Sequence, residues 1–90
     1  MPKMTPDEAL EKLRSENETA IVFDGYEDCL VGVAYQFGRP TVACYDYDAC
    51  IKKLMDRDGM DHEEAVEFFE FNTLGCGVGE NGPVFVNLFT

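Results

Sequence analysis

Glycine-rich turns bind phosphate when successive backbone N–H groups converge on it. The segment GCGVGENG places Gly75, Gly77, Gly79 and Gly82 within eight residues, between an apolar helical pattern and an apolar strand. A dinucleotide fingerprint needs a strand before its glycines and a helix after them. Here the order is reversed. The spacing G-x-G-x-G-x-x-G also has no following Lys-Ser/Thr, which excludes a Walker loop. Two readings remain: a backbone nest or a loop pressed against a ligand, and a helix stop with tight turns in which Gly75 follows Asn72.

The second stretch with chemical content is YDYD, Tyr45 to Asp48, where a strand pattern becomes a helix pattern. Carboxylates there stabilise a helix N-terminus. Tyr45 and Tyr47 can also flank a pocket, each offering a ring for stacking and a hydroxyl for hydrogen bonds. Strand alternation puts both rings on one side.

Metal and nucleophile chemistry find little support. DRDGMDHEE has its glycine at position four counted from Asp56, not at position six as a calcium loop requires. Asp24, Glu27 and Asp28 can hold a cation weakly or serve as solvated turn acids. Cys29, Cys44, Cys50 and Cys76 form no C-x-x-C pair, and His62 is the one histidine. That pattern argues against structural zinc and for thiols used as small core side chains. Nothing in the sequence gives His62 a Cys or Ser partner, so no catalytic residue, metal or cofactor is expected.

The elements that position these residues follow from local signals. TPDEALEKLRSEN carries a capping box, Thr5 with Glu8, and Pro6 at the first helical position. A helix is predicted over about residues 6–16. AIVFDG (20–25), CLVGVAYQF (29–37), TVACYDY (41–47) and PVFVNLF (83–89) read as strands, with GRP a turn and Gly32 a bulge or a close approach. DACIKKLMDRDG is a helix capped by Asp46 or Asp48 and stopped by Gly59. A third helix begins at Asp61, with Glu64 closing a second capping box, and ends near Asn72. The order α-β-β-β-α-α-β predicts a single α+β domain over residues 1–90. Its expected sheet has four strands, antiparallel or mixed, with helices packed on one face.

Charge narrows the partners. Eighteen acids against seven bases give a net charge of −11 over 90 residues, and that field repels a phosphate backbone, so direct nucleic-acid binding is not expected. The acids are dispersed, as on a solvated surface, although such acidity can also imitate nucleic acid. MPKMTPDEAL lacks the apolar run of a signal peptide and no stretch approaches a membrane span. Reduced thiols in a cytoplasm are expected. A small core and the apolar runs FFEF and VFVNLF predict a homo-oligomer.

Across residues 24–86 the chain resembles a family of small tailed-bacteriophage proteins whose activity is not established. The resemblance is carried by Glu27, Asp28 and Gly32, by Tyr45 to Asp48, by Gly59 and Met60, by Phe69 to Asn72, and by Val78 to Glu80. Where the family often has Ala-Tyr, this chain has Cys76 and Gly77. The resemblance implies a phage origin and no more; joined to the cytoplasm expected above, the expected location is the host cytoplasm. Phage accessory proteins that defeat host defence then set the expectation, by analogy alone. In the first reading an oligomer sequesters a small nucleotide-like signal, with Arg39, Tyr45, Tyr47, Asn72, Gly75, Gly77, Gly79 and Glu80 as candidate ligand-binding residues. In the second, an acidic surface occludes the nucleic-acid-binding surface of a host defence protein. A structural or housekeeping phage protein is the third.

Overall fold

Three helices and a three-stranded mixed sheet make up the fold, in a computed structural model that describes residues 5–72 and 79–88. Helix α1 (Pro6–Glu16) begins with the expected reciprocal cap. The Thr5 hydroxyl accepts the Glu8 N–H at 3.1 Å and the Glu8 carboxylate accepts the Thr5 N–H at 3.0 Å. Ala9 and Leu13 face the core. The helix stops at Asn17, whose side-chain amide donates to the Thr41 carbonyl at 2.8 Å and to Asn81 Oδ1 at 3.0 Å. One residue thus ties the end of α1 to two distant segments.

Residues 20–25 are not a strand, so the sheet has three strands, not four, and the order is α-β-β-α-α-β. The physical reason lies in where the backbone donors go. Ile21 N–H reaches the Asn81 carbonyl at 3.0 Å, while Phe23 N–H reaches the Tyr45 hydroxyl at 2.9 Å. Each donor has a different partner, and no ladder forms. The apolar character of AIVF instead packs this irregular segment on the core, with Ala20 buried and Val22 and Phe23 half-buried against it.

Strand β1 (Leu30–Ala34) follows a single 3-10 turn at Glu27–Cys29 and pairs antiparallel with β2 (Val42–Asp46). The register shifts between Leu30 and Gly32. A Cβ on Gly32 would meet nothing within 4 Å, so this glycine marks a bulge and not a close approach. The connecting turn closes with Arg39 N–H on the Gln36 carbonyl at 2.9 Å.

Strand β2 runs directly into α2 (Tyr47–Asp58), and Asp46 is both the last strand residue and the helix cap, accepting the Ala49 N–H at 3.3 Å. Gly59 ends α2 at φ 70°, a left-handed position that costs a residue with a Cβ about 1–2 kcal/mol. Asp61 and Glu64 then cap α3 (His62–Asn72) reciprocally, at 2.8 and 3.3 Å. The crossover through α2 and α3 delivers β3 (Val84–Val86) parallel to β2, with Tyr45 opposite Phe85. The strand expected over 83–89 is therefore shorter, and position 89 lies outside the described residues.

An aromatic network forms much of the core. Tyr45 stacks on Phe23 (6.2 Å) and on Phe85 (5.6 Å), Phe85 meets Phe69 edge-on at 5.0 Å, and Phe69 meets Tyr47 edge-on at 5.5 Å. Such pairs contribute about 0.5–1.5 kcal/mol each beyond the area they bury. Through Phe69, α3 is pinned to the same sheet face on which Tyr45 and Phe85 lie.

Candidate functional site

The turn between β1 and β2 and the segment leading into β3 face each other across a groove of about 430 Å³. That volume falls in the range of small-molecule sites. Tyr35, Gln36 and Arg39 line it from the turn, and Gly79, Glu80 and Gly82 from the opposite side. Both walls are fixed by the Asn17 amide, which holds Thr41 at the start of β2 and Asn81 in the single 3-10 turn Gly79–Asn81. Gly79 opens that turn at φ 76°, again in the left-handed region, and its carbonyl accepts the Gly82 N–H at 3.1 Å.

The side chains around the groove differ in how far they are committed. Glu16 Oε2 accepts the Tyr35 hydroxyl at 3.1 Å, Glu16 Oε1 accepts the Thr41 hydroxyl at 3.2 Å, and Lys12 pairs with Glu16 at 2.9 Å. The Lys12 hydrogen bond holds the Glu16 carboxyl below its usual range, so it stays an acceptor. Tyr35 is thereby anchored by its hydroxyl while 63% of the residue remains exposed. The Arg39 guanidinium, in contrast, forms no hydrogen bond or ion pair among the described residues, although its backbone N–H closes the turn. Among the described residues it is an unengaged, forked donor beside an anchored aromatic ring.

Of the candidate ligand residues read from the sequence, Arg39, Gly79 and Glu80 meet in this groove. Gly75 and Gly77 lie outside the described residues. Tyr45 is 1% exposed, with its hydroxyl taken by Phe23 N–H and its ring stacked in the core. Burial pushes that hydroxyl's pKa above the ordinary value. With Phe23 and Leu10 it lines a hollow of only about 160 Å³, below the size of nucleotide sites. Tyr47 starts α2 and packs on Phe69. Asn72 ends α3, donates to the Phe68 carbonyl at 3.1 Å, and belongs to a separate depression along that helix.

Sequence reasoning missed Tyr35 and Asn17. Tyr35 carried one readable signal, its place in YQFGR within four residues of the turn arginine. Asn17 carried none, because its partners are 24 and 64 residues away.

A third depression, beside α2, is lined by Cys29, Lys52, Lys53 and Arg57, but most of its charges are spent on neighbours. Lys53 pairs with Asp28 at 2.7 Å, and Arg57 pairs with Asp58 at 3.1 Å while standing over the Tyr26 ring at 5.5 Å. Below it, the Cys29 thiol donates to Asp28 Oδ1 at 3.8 Å. Interaction with the Cys50 thiol lowers the pKa of Cys29 and, with burial, raises that of Cys50. His62 is exposed at the start of α3 and is bonded to no cysteine in the hydrogen-bond network of the described residues. Glu27 accepts the Gly25 N–H at 3.2 Å, and among the described residues no three potential metal ligands converge.

Comparison with protein-family models, with curated proteins and with solved structures returns no match. The α+β fold and the absence, among the described residues, of any helix long and apolar enough to cross a membrane rest on the structure itself.

Proposed function

We propose that this chain is a binding protein without catalytic turnover, which holds a small nucleotide-like anion in the groove at Arg39. On the phage resemblance of its sequence, the ligand is a host defence signal that the protein withholds in the host cytoplasm. The observation that carries the reading is the Arg39 guanidinium, unengaged among the described residues, in a groove of nucleotide size beside the anchored Tyr35 ring and the Gly79 turn. Guanidinium pairs with phosphate bidentately, an aromatic ring stacks on a base, and both fit a phosphorylated nucleoside. The net charge of −11 opposes an anionic ligand, but screening limits distant acids to about 8 Å, inside which Arg39 acts directly. Among the described residues the groove lining offers one carboxylate, Glu80, and no thiol, imidazole or amine, which favours retention over turnover.

The test is a thermal-shift screen of cyclic and ADP-ribose-type nucleotides. A ligand at about 100 times its dissociation constant adds about 2.7 kcal/mol to stability. Arg39→Ala should abolish the shift, and heating the complex should release the ligand chemically unchanged. A converted ligand, or binding that ignores Arg39→Ala, overturns the reading.

One observation favours the occluding reading. Along α3, Glu63, Glu67 and Glu70 recur at helical spacing, and no base pairs with them among the described residues. Phe71, 83% exposed, and Phe68 stand beside Glu64 and Glu67. A basic groove on a host protein would complement that face. Retention of such a protein on the immobilised chain, lost in Glu67→Lys and weakened steeply by salt, is its signature.

A further inference from the structure

Pairing partners in a ladder share a face, so the register sorts the sheet's side chains. Val33 with Ala43, Leu30 with Tyr45, and Tyr45 with Phe85 form one face. That face is the core side, where Phe69 of α3 meets Phe85. The opposite face carries Ala34, Val42, Cys44, Val84 and Val86. Among the described residues Ala34, Cys44, Val84 and Val86 belong neither to the hydrophobic core cluster nor to the side chains packed against it, while Val42, also outside that cluster, is 8% exposed. Val84 is 40% exposed, and Phe37, at the tip of the β1–β2 hairpin, stands wholly in solvent. A polar outer face is the ordinary solution for a sheet with one wet side. This one is apolar.

We propose that a second copy of this chain covers that face, in a two-fold dimer whose hairpin tips, through Phe37, embrace the partner. Charge selects the occupant. Each copy carries −11, so two copies repel wherever carboxylates meet, and the outer sheet face is where they can approach with least repulsion. On the sheet itself the one carboxylate is Asp46, already engaged in capping α2, and the adjoining groove adds Glu80 opposite Arg39. A cationic partner would be drawn instead to the carboxylates of α3. A self-complementary apolar face is also what an isologous contact requires.

Size decides that the hairpin must take part. Two strands of five residues and one of three present a face of at most roughly 14 by 17 Å, well short of the ~800 Å² per partner of a stable interface. Phe37 and its neighbour Tyr35 supply much of the remainder, since an aromatic side chain buries about 150–250 Å². Ala34, Val42 and Val84 also line the Arg39 groove. The second copy therefore roofs that groove and turns it into a shared pocket. This consequence rests on the proposed ligand site; the dimer does not.

The experiment is light scattering of the full chain over micromolar to submillimolar concentration, with no ligand present. The expected mass is twice 10.1 kDa. Val84→Glu and Phe37→Ser should each return it to the monomer value with unchanged circular dichroism, because neither side chain belongs to the core. Phe71→Ser, on α3, should leave the dimer intact. Should Val84→Glu fail to fold, Phe37→Ser decides, together with alkylation of Cys44, which should be several-fold slower in the wild type than in that variant. A monomer at all concentrations overturns the proposal, as does a dimer that survives both substitutions or one dissociated by Phe71→Ser. A dimer without nucleotide binding would refute the ligand reading alone, and nucleotide binding by a monomer would refute this one alone.

Discussion

Tyr45→Phe separates a core role from a ligand role at one atom. The substitution keeps the ring that stacks on Phe23 and Phe85 and deletes only the hydroxyl that accepts the Phe23 N–H at 2.9 Å. That donor sits in a partly buried segment with no ladder partner, so its loss of an acceptor should cost about 1–3 kcal/mol. For a domain of this length each kcal/mol shifts the melting temperature by roughly 4–8 °C, which predicts a fall of about 4–24 °C. Tyr45→Ala also empties the stack and should cost about 3–5 kcal/mol, a large share of the roughly 5–14 kcal/mol expected for the whole fold. Calorimetry of the two variants, paired with nucleotide titration of Tyr45→Phe, gives the answer. An unchanged melting temperature combined with weakened nucleotide binding would refute the reasoning, because the hydroxyl would then serve the ligand and not the fold.

Asn17→Ala should lower stability by about 1–3 kcal/mol, since it removes the donors to Thr41 and Asn81, and should weaken nucleotide binding; full affinity would show that the groove walls hold without the tie. Gly59→Ala, at φ 70°, should destabilise by about 1–2 kcal/mol in urea melts without touching ligand affinity. For pH, the Lys53 hydrogen bond holds the Asp28 carboxyl below its ordinary 3.8. The folded value is depressed, so its contribution is present above pH 3.8 and lost as pH falls through the lower folded value. Lys53→Met should flatten that part of the acid limb of stability against pH, and an unaltered limb would deny the pair any role.

Local signals account for what the sequence disclosed. The caps at Thr5 and Glu8, at Asp61 and Glu64, and at Asp46, with the stop at Gly59, each join residues within four positions, and each is present as expected. At Gly32 the sequence offered a bulge or a close approach, and the register shift with open space at the Cβ position selects the bulge. Residues 20–25 were not legible, because their partners lie at Tyr45 and Asn81 and composition alone cannot distinguish a paired strand from an irregular segment packed on the core. Of the tyrosines, Tyr45 follows the alternation of a strand and so looked available for a ligand, yet its place in the ladder puts it inside. Tyr35 closes a strand at a turn, and only the Glu16 anchor beside the groove reveals it. Arg39 and Gly79 were legible as residue types suited to an anion and Glu80 as a member of the glycine loop, and all three line one groove.

The parallel pairing of β3 with β2 has a consequence for how the molecule opens. Ala34 and Val42 close a loop of 42 − 34 = 8 residues, whereas Cys44 and Val84 close one of 84 − 44 = 40. On loop-closure entropy the second contact is dearer by about 1.4 kcal/mol, and β3 has three residues to hold it against five in each of the other strands. The least costly excursion from the native state is therefore the unlatching of β3 while the hairpin stays paired. Amide hydrogens of Val84 to Val86 should exchange with solvent before those of β1 and β2. Because one wall of the Arg39 groove belongs to that latch, an occupant would act as a clasp, slowing exchange at β3 more than anywhere else in the sheet.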